Sequence, residues 1–351
     1  MSRPHTFVLT LLVAAFGLLA ATMAINFTLD PQYVFGTPLT RLDDNANYRY
    51  HRVREYQAKR DRVDGLLFAS SRGRAFDADR VAQKIGANEV ARFDVTAGMI
   101  TDHLPALEYV LRDKSSRGEK VRAALLLIDV DFFGKSPATN INIDSFLPPE
   151  LSGEHPARFW WRYLTVFQLR MWRGMIAYRL RGGDRVTSEP KSSRFDIRHA
   201  VAAGFGRPAW RVPATGVVLA ANDAPPAKFL VSTRPNLAAH LGLVARFVAL
   251  CRANGIALTV ATTPMRAEAV SLYDPADLRN VVQRLSEIVP IWDFTAPFRL
   301  SADIASWDDA SHFKPVIADL MLERMFGPNP PADFGILRQP RSPTAGLSRG
   351  D

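Results

Sequence analysis

The chain has 351 residues, of which 47% are hydrophobic and 23% are charged, and it carries a formal net charge of +9. Its one cysteine excludes an intrachain disulfide and a cysteine-based metal cluster. The sequence contains no H-E-x-x-H, P-loop or G-x-G-x-x-G motif, and we expect neither a metal nor an organic cofactor.

The excess of basic over acidic residues comes from one stretch of the chain. Between Arg158 and Arg211 there are twelve lysines and arginines against three acidic residues, and this local excess equals the net charge of the whole chain. The remaining residues are balanced in charge, so the basic composition does not indicate a nucleic-acid-binding domain. We expect no nucleic-acid partner.

Residues 1–29 predict a membrane anchor. Thr6–Leu29 is an uncharged apolar run of 24 residues, which at about 1.5 Å per residue is long enough to cross the hydrocarbon core of a bilayer. Arg3 precedes it, and the basic flank of such a segment tends to stay cytoplasmic. We therefore expect a single-pass inner-membrane protein whose soluble part is periplasmic. The alternative is a cleaved signal peptide, with a small-x-small site at Thr22-Met23-Ala24.

An α/β domain is predicted over residues 62–327, after a polar, extended neck at 30–61. Short apolar runs alternate there with amphipathic helical patterns, which predicts a parallel sheet with helices on both faces. The predicted strands are 65–69, 91–95, 123–129, 257–262 and 289–293, and the predicted helices are 102–112, 236–253 and 274–288. Residues 328–351, rich in Pro, Gly, Ser and Arg, predict a disordered tail.

An insertion at about 137–235 interrupts the alternation and predicts a helix over Phe159–Arg181. Its expected apolar face carries Trp160, Leu164, Phe167, Met171 and Tyr178, and its opposite face carries Arg158, Arg162 and Arg173. Two interpretations are open. The helix packs on the core with a solvated basic face, or the basic face rests on anionic lipid headgroups or beside an anionic glycan.

A candidate nucleophile and its base stand at opposite ends of the α/β pattern. Ser71 follows the first predicted strand, and Asp309 precedes His312 by three residues in a loop after the last strand. A hydroxyl needs an adjacent base, and the base needs an orienting group. The alternatives are that Ser71 and His312 are helix caps, or that the neighbouring Asp308 is the orienting carboxylate.

These motifs resemble those of the SGNH (GDSL-like) hydrolase superfamily. The chain is similar to its membrane-anchored envelope members, such as alginate O-acetyltransferase-like and lipoteichoic-acid D-alanylation-type proteins. The Gly-Asp-Ser nucleophile motif corresponds to Ala69-Ser70-Ser71, the D-x-x-H block to Asp309 and His312, and the glycine of the second block to Gly98. The resemblance implies a flavodoxin-like three-layer α/β/α sandwich and a Ser-His-Asp triad, with the amides of Ser71 and Gly98 as oxyanion donors.

Two features depart from the family pattern. Ala69 and Ser70 replace the usual Gly and Asp, and no Asn donor of the third block follows Ile128-Asp129-Val130-Asp131. Carboxylates accept hydrogen bonds and cannot replace that donor. Asn140 or Asn142 could supply it from a loop.

The resemblance implies an extracytoplasmic serine esterase or O-acyltransferase acting on an envelope or exported polysaccharide, or on its lipid-linked precursor. Its partners would be an acyl donor, the glycan and a membrane-bound protein that delivers acyl groups. Arg72 and Arg266 are further candidates for substrate binding, and the alternative for Arg72 is a surface ion pair. The alternative function is a non-catalytic glycan-binding or scaffold protein of an envelope assembly complex.

Overall fold

The computed structural model describes residues 3–36, 47–137, 146–180, 236–271, 273–309, 311–328 and 334–340. The chain divides into two compact units. One unit comprises Met1–Arg54 and Ile143–Ser192, and the other comprises Glu55–Asn142 and Ser193–Asp351.

The second unit contains a six-stranded, mostly parallel sheet, so the chain is a mixed α/β protein as the sequence predicted. The strands are β1 Gly65–Ala69, β2 Val90–Asp94, β3 Ala123–Ile128, β4 Ala257–Thr262, β5 Ile291–Asp293 and β6 Ile336–Arg338. Their order across the sheet is β2-β1-β3-β4-β5-β6. The first five strands pair in parallel, and β6 pairs antiparallel with β5.

The strands form where the sequence offers short apolar runs that can be buried on both faces. Every residue of β1, β2 and β3 is buried, as expected for parallel strands covered by helices. The predicted bounds of β1 and β4 match the structure, and those of β2 and β3 differ by one residue. β5 is shorter than predicted because Val289 caps the preceding helix.

Helices connect the strands of this unit. They are α3 Ala78–Ile85, α4 Ile100–Ser116, α8 Leu237–Ala253, α9 Ala267–Val270, α10 Pro275–Ile288 and α11 Pro315–Phe326. The three amphipathic helices predicted from periodicity correspond to α4, α8 and α10, and their buried residues lie at helical spacing.

The first unit is built from helices. They are α1 Arg3–Leu29, α5 Pro149–Ser152, α6 Pro156–Thr165 and α7 Leu169–Leu180, together with the first half of α2 Tyr48–Lys59. α1 is long and apolar enough to cross a membrane, and its most apolar window is almost entirely exposed.

Several predicted elements differ from the structure. Residues 48–59 of the expected extended neck form α2. The single helix expected over 159–181 is broken between Thr165 and Leu169. Its buried residues in α6 are Phe159 and Tyr163 rather than Trp160 and Leu164. Residues 336–338, expected to be disordered, form the edge strand β6. Most of the rest of the insertion and tail, including Asn140, Asn142 and Arg181, lies outside the described residues.

The single cysteine tests how tightly the α/β unit packs. Cys251 lies on α8 and is fully buried, and burial raises the pKa of its thiol to about 12. The thiolate is the reactive species, so we expect the native protein to resist a maleimide at neutral pH and to react on unfolding in guanidinium. Mass spectrometry of treated samples measures this, and rapid labelling of the native chain would contradict the packing.

Candidate active site

The turn after β1 presents Ser71 at the carboxyl end of the sheet. Ser70 caps a 3₁₀ helix, Ser71–Ala75, by accepting a hydrogen bond from the Arg72 amide to its Oγ at 3.1 Å. The capping role therefore belongs to Ser70, and the hydroxyl of Ser71 is available for another partner. The Ser71 amide is the first of this helix, and first-turn N–H groups have no intrahelical acceptor.

Close packing fixes the position of this 3₁₀ helix against the sheet. A Cβ atom at Gly73 would lie 2.3 Å from the Cβ of Ala69, so only glycine allows the approach. From β2, the buried guanidinium of Arg92 donates to the carbonyls of Gly73 and Phe76, each at 3.0 Å. Arg92 also donates through Nε to Asp94 at 2.9 Å, which balances its charge.

A short loop closed at its base presents the histidine. Trp307 and Phe313 form an isolated antiparallel bridge, and within it the Asp308 amide donates to the His312 carbonyl at 2.8 Å. Both aromatic side chains are buried. Phe313 also packs edge-on against Phe76, the cap of the 3₁₀ helix, with ring centroids 6.1 Å apart. The loop and the Ser71 turn thus share one aromatic support.

The structure brings Ser71, His312 and Asp309 into one hydrogen-bonded chain. Ser71 Oγ lies 2.8 Å from His312 Nε2, and His312 Nδ1 lies 2.7 Å from Asp309 Oδ2. The other carboxylate oxygen of Asp309 accepts from the backbone amides of Ser311 at 2.7 Å and His312 at 2.8 Å. Asp309, and not Asp308, is therefore the carboxylate that contacts the imidazole.

The charge of Asp309 fixes which ring nitrogen of neutral His312 carries the proton. Partial burial acts to raise the pKa of Asp309, but hydrogen bonds from the Ser311 amide and from the side chain and amide of His312 outweigh it and lower that pKa. A carboxylate only accepts hydrogen bonds. The proton of neutral His312 therefore belongs on Nδ1, which leaves Nε2 to accept from the Ser71 hydroxyl.

Arg72, next to the candidate nucleophile Ser71 in the sequence, is buried. Its guanidinium makes a bidentate pair with Asp131, at 2.8 and 3.1 Å, and donates to Thr263 Oγ1 at 3.1 Å. It also donates to the Ser311 carbonyl at 3.0 Å and the Ser311 hydroxyl at 3.1 Å. These contacts occupy all five donors of the side chain. Arg72 is therefore a positioning residue that holds the histidine loop, and not a substrate-binding group.

Two carboxylates, Asp129 and Asp131, lie beside the guanidinium of Arg72. Desolvation acts to lower the pKa of Arg72, but Asp129 and Asp131 raise it, so the guanidinium stays charged. Burial raises the pKa of Asp129, although Arg72 at 3.4 Å opposes the rise. Asp129 also accepts from Thr263 Oγ1 at 2.6 Å. Asp131 contacts Arg72 through two hydrogen bonds, and both carboxylates balance its charge.

Gly98 lies in a strained turn after β2. A Cβ atom at Gly98 would lie 2.6 Å from Val95 Cγ2 and 3.0 Å from the Ala69 carbonyl oxygen, so the site requires glycine. Ala97 has a positive φ of 51°, a conformation that costs energy for a residue with a Cβ. The Gly98 amide donates to the Val95 carbonyl at 2.9 Å. It would have to release that bond to bind an oxyanion.

Arg266 lies four residues beyond the end of β4, at the cap of the short helix α9, and its side chain is half-buried. Its part in substrate binding stays a prediction. Asn140 and Asn142, the alternative oxyanion donors, lie outside the described residues. Within the described part of the chain, no cluster of His, Cys, Asp and Glu is arranged to hold a metal ion.

The buried network around Arg72 was not predicted from the sequence. No role was predicted for Thr263 or Ser311, and no ion pair was predicted for Asp131. The available signal was positional, because Asp129 directly follows β3, Asp131 comes two residues later, and Thr263 directly follows the neighbouring β4 at the same edge of the sheet.

The chain was compared with known proteins. No protein-family model matches its sequence. A search of curated proteins finds no significant match.

Replacing Arg72 tests the network. Arg72→Ala leaves Asp131 and Asp129 without their counter-ion, and removing one partner of a buried ion pair costs about 3–5 kcal/mol. We expect a clear fall in the urea midpoint of unfolding of the detergent-solubilised chain, measured by tryptophan fluorescence. The fall should be smaller for Arg72→Lys, which keeps the charge.

The matched control is Arg284→Ala. This side chain is 56% exposed and pairs with Glu287 at 3.1 Å, so its loss should cost less than about 1 kcal/mol. Equal midpoints for the Arg72 and Arg284 variants would contradict the role assigned to Arg72.

Proposed function

We propose that the protein is an extracytoplasmic serine esterase or O-acyltransferase. The observation that carries this proposal is the chain of hydrogen bonds from Ser71 through His312 to Asp309. Nucleophile, base and orienting carboxylate stand in the order that acyl transfer requires. Ser71 and His312 are 241 positions apart in the sequence. A helix cap or a turn forms between neighbouring residues, so neither explains this contact.

The position of the triad in the sheet supports the same proposal. The order β2-β1-β3-β4-β5 is that of flavodoxin-like sheets, in which ligands bind beyond the carboxyl ends of the strands where the order reverses. Ser71 follows β1, and Asp129 and Asp131 follow the adjacent β3. The proposed fold is accordingly a flavodoxin-like α/β/α sandwich of the SGNH type.

The first half-reaction uses the triad directly. Ser71 Oγ attacks the ester carbonyl of the acyl donor while its proton passes to His312 Nε2. Asp309 stabilises the imidazolium and keeps it oriented. The tetrahedral intermediate collapses, the bond to the leaving alkoxide breaks, and His312 returns the proton to that oxygen. The product is an acyl ester on Ser71.

The second half-reaction determines whether the enzyme hydrolyses or transfers. Water or a sugar hydroxyl gives its proton to His312 and attacks the acyl ester on Ser71. The bond between the acyl carbon and Ser71 Oγ then breaks, and His312 returns the proton to Oγ, which regenerates the serine and releases the acid or the new ester. The Ser71 amide is the proposed oxyanion donor, with the Gly98 amide as second donor once its bond to Val95 is released. Losing one such donor can cost 10²–10³-fold in rate.

The proposed substrate is an envelope or exported polysaccharide, or its lipid-linked precursor. Support for an extracytoplasmic substrate comes from α1, whose most apolar window is almost entirely exposed. We propose that α1 anchors the protein in the inner membrane with its N-terminus in the cytoplasm. A membrane-bound partner would then deliver acyl groups to the site.

A non-catalytic glycan-binding or scaffold role is the second candidate function. It is favoured by Asp129 and Asp131, acceptors that stand where the resemblance implies an amide donor and that are engaged by Arg72. The Gly98 amide is also bonded to Val95. Such a protein would keep the cleft and lack turnover.

The catalytic proposal is tested with Ser71→Ala, His312→Ala and Asp309→Asn in the full-length, detergent-solubilised protein. Because triad members act as a unit, each of the first two variants should lower kcat on a small acetyl ester by at least about 10⁴-fold. Asp309→Asn should lose about 10³–10⁴-fold, because the orienting charge is gone. A fluorophosphonate should label the wild-type protein at Ser71.

Asp308→Asn is the matched control, because it changes the neighbouring carboxylate in the same loop and the imidazole contact belongs to Asp309. Its turnover should equal that of the wild type. Absence of labelling at Ser71, with normal polymer acylation in cells that carry Ser71→Ala, would leave the scaffold role as the better account.

The proposed topology is tested separately. Alkaline phosphatase fused after Asp351 should be active, because this reporter folds only outside the cytoplasm, and a cytoplasmic reporter at the same position should be inactive. The protein should also stay with the membrane after an alkaline wash. The reverse pattern of reporter activities would contradict the orientation.

A further inference from the structure

The last turn of α1 is bonded to the junction between α6 and α7. The side chain of Asn26 is buried, and its amide donates to the carbonyls of Leu164 at 2.9 Å and Val166 at 2.8 Å. Its carbonyl oxygen accepts from Trp172 Nε1 at 2.8 Å. In a continuous helix those two carbonyls would accept from residues 168 and 170. Asn26 therefore stabilises the break and fixes both helices to α1.

Aromatic and polar contacts reinforce this attachment. Phe35 packs against Phe27 of α1 and Trp160 of α6, with ring centroids 5.5 and 5.3 Å away. Tyr163 of α6 donates through its hydroxyl to Gln32 at 2.6 Å. The carboxylate of Asp30 accepts from three amides of the turn that carries Phe35. α6 is held to the end of α1 at several points.

The length of α1 places this attachment at the membrane surface. A hydrocarbon core of about 30 Å takes about 20 residues of helix. Counted from Thr6, the start of the uncharged run, such a span ends at Ile25. Asn26 follows at the boundary, so the helices that it holds lie at the level of the lipid headgroups.

The outer face of α6 and α7 exposes large apolar side chains. Their exposed fractions are 53% for Trp161, 62% for Phe167, 49% for Leu169, 48% for Ile176 and 82% for Leu180. On α7, Leu169, Ile176 and Leu180 share one stripe with Arg173, because the steps of four, three and four residues keep to one side of a helix. Trp172 and Met175 are buried instead.

Exposed arginines accompany these apolar residues. Arg158 of α6 and Arg170 and Arg173 of α7 are exposed. Arg158 lies 4.0 Å from Glu154, and the sequence of α7 contains no acidic residue. A helix with apolar residues and arginines on its exposed face, and a tryptophan beside it, has the composition of a segment that lies in the interface of an anionic bilayer.

We propose that α6 and α7 lie on the bilayer that α1 crosses, with Trp161, Phe167, Leu169, Ile176 and Leu180 among the headgroups and acyl chains and the arginines on lipid phosphates. This inference rests on the proposed membrane span of α1. The bilayer is the occupant favoured over a protein partner because Asn26 fixes this face at the membrane boundary. α1, α6 and α7 together form a two-part anchor, one helix across the membrane and two along it.

The test uses four variants of the full-length protein, Leu169→Cys, Ile176→Cys, Leu180→Cys and Val13→Cys. Each variant is labelled with bimane at the new cysteine. Cys251 is buried, with a pKa raised to about 12, and need not be removed. The protein is reconstituted in nanodiscs containing phosphatidylglycerol, with and without lipids that carry a nitroxide. We expect the three α7 labels to be quenched several-fold more than bimane-labelled glutathione in the same buffer. Val13, exposed in the middle of α1, reports the membrane span.

A charge variant tests the arginines. Changing Arg158, Arg170 and Arg173 to Gln should reduce lipid quenching of the Leu180 label. The matched control changes three exposed arginines of the α/β unit, Arg122, Arg246 and Arg284, and should leave it unchanged. Equal quenching in both triple variants would overturn the role of lipid phosphate.

Two further outcomes overturn the bilayer contact while leaving the membrane span intact. In the first, Val13 is quenched and the α7 labels match glutathione. In the second, the α7 labels are shielded from both lipid nitroxide and aqueous iodide, which would mean that protein covers the face. An unquenched Val13 would instead overturn the proposed span of α1 and this inference with it, and turnover at Ser71 would be unaffected by that result.

Discussion

The guanidinium of Arg72 is buried among groups from three other stretches of chain, and the geometry of the candidate site depends on it. It joins the turn after β1 to Asp131 after β3, Thr263 after β4 and Ser311 of the histidine loop. A buried cation is costly unless it is paired and fully hydrogen-bonded, so these segments have one arrangement that satisfies it. The serine and the histidine are thereby brought to hydrogen-bonding distance, although the histidine loop itself is partly exposed.

Much of the fold and part of the site follow from local sequence patterns. Strands such as β1 and β3 could be located because runs buried on both faces are apolar throughout. The pairing of Asp309 with His312 follows from their spacing in one loop. The network around Arg72 could not be predicted, because its partners lie 59, 191 and 239 residues away. Only the folded sheet brings them together.

The elements that the sequence predicted wrongly are also determined by contacts between residues distant in the sequence. The segment from 159 to 181 has helical periodicity throughout, and no proline marks the break after Thr165. Asn26 competes for the Leu164 and Val166 carbonyls from a distant part of the sequence, and tertiary contacts override the local preference for helix. The edge strand Ile336–Arg338 was missed for a similar reason, since its pairing with β5 outweighs proline-rich flanks.

The contacts of Asn26 also impose an order on biosynthesis. Its two bonds to Leu164 of α6 and to Val166, the cap of α6, span 138 and 140 residues. The strands β1, β2 and β3 are all encoded between Asn26 and these partners. At elongation rates of about 5–20 residues per second this delay is on the order of 10 s. During that time the newly made α1 holds a polar amide without its final partners, while three strands of the sheet are synthesised. The helical unit is begun first and completed only after half of the sheet has been made.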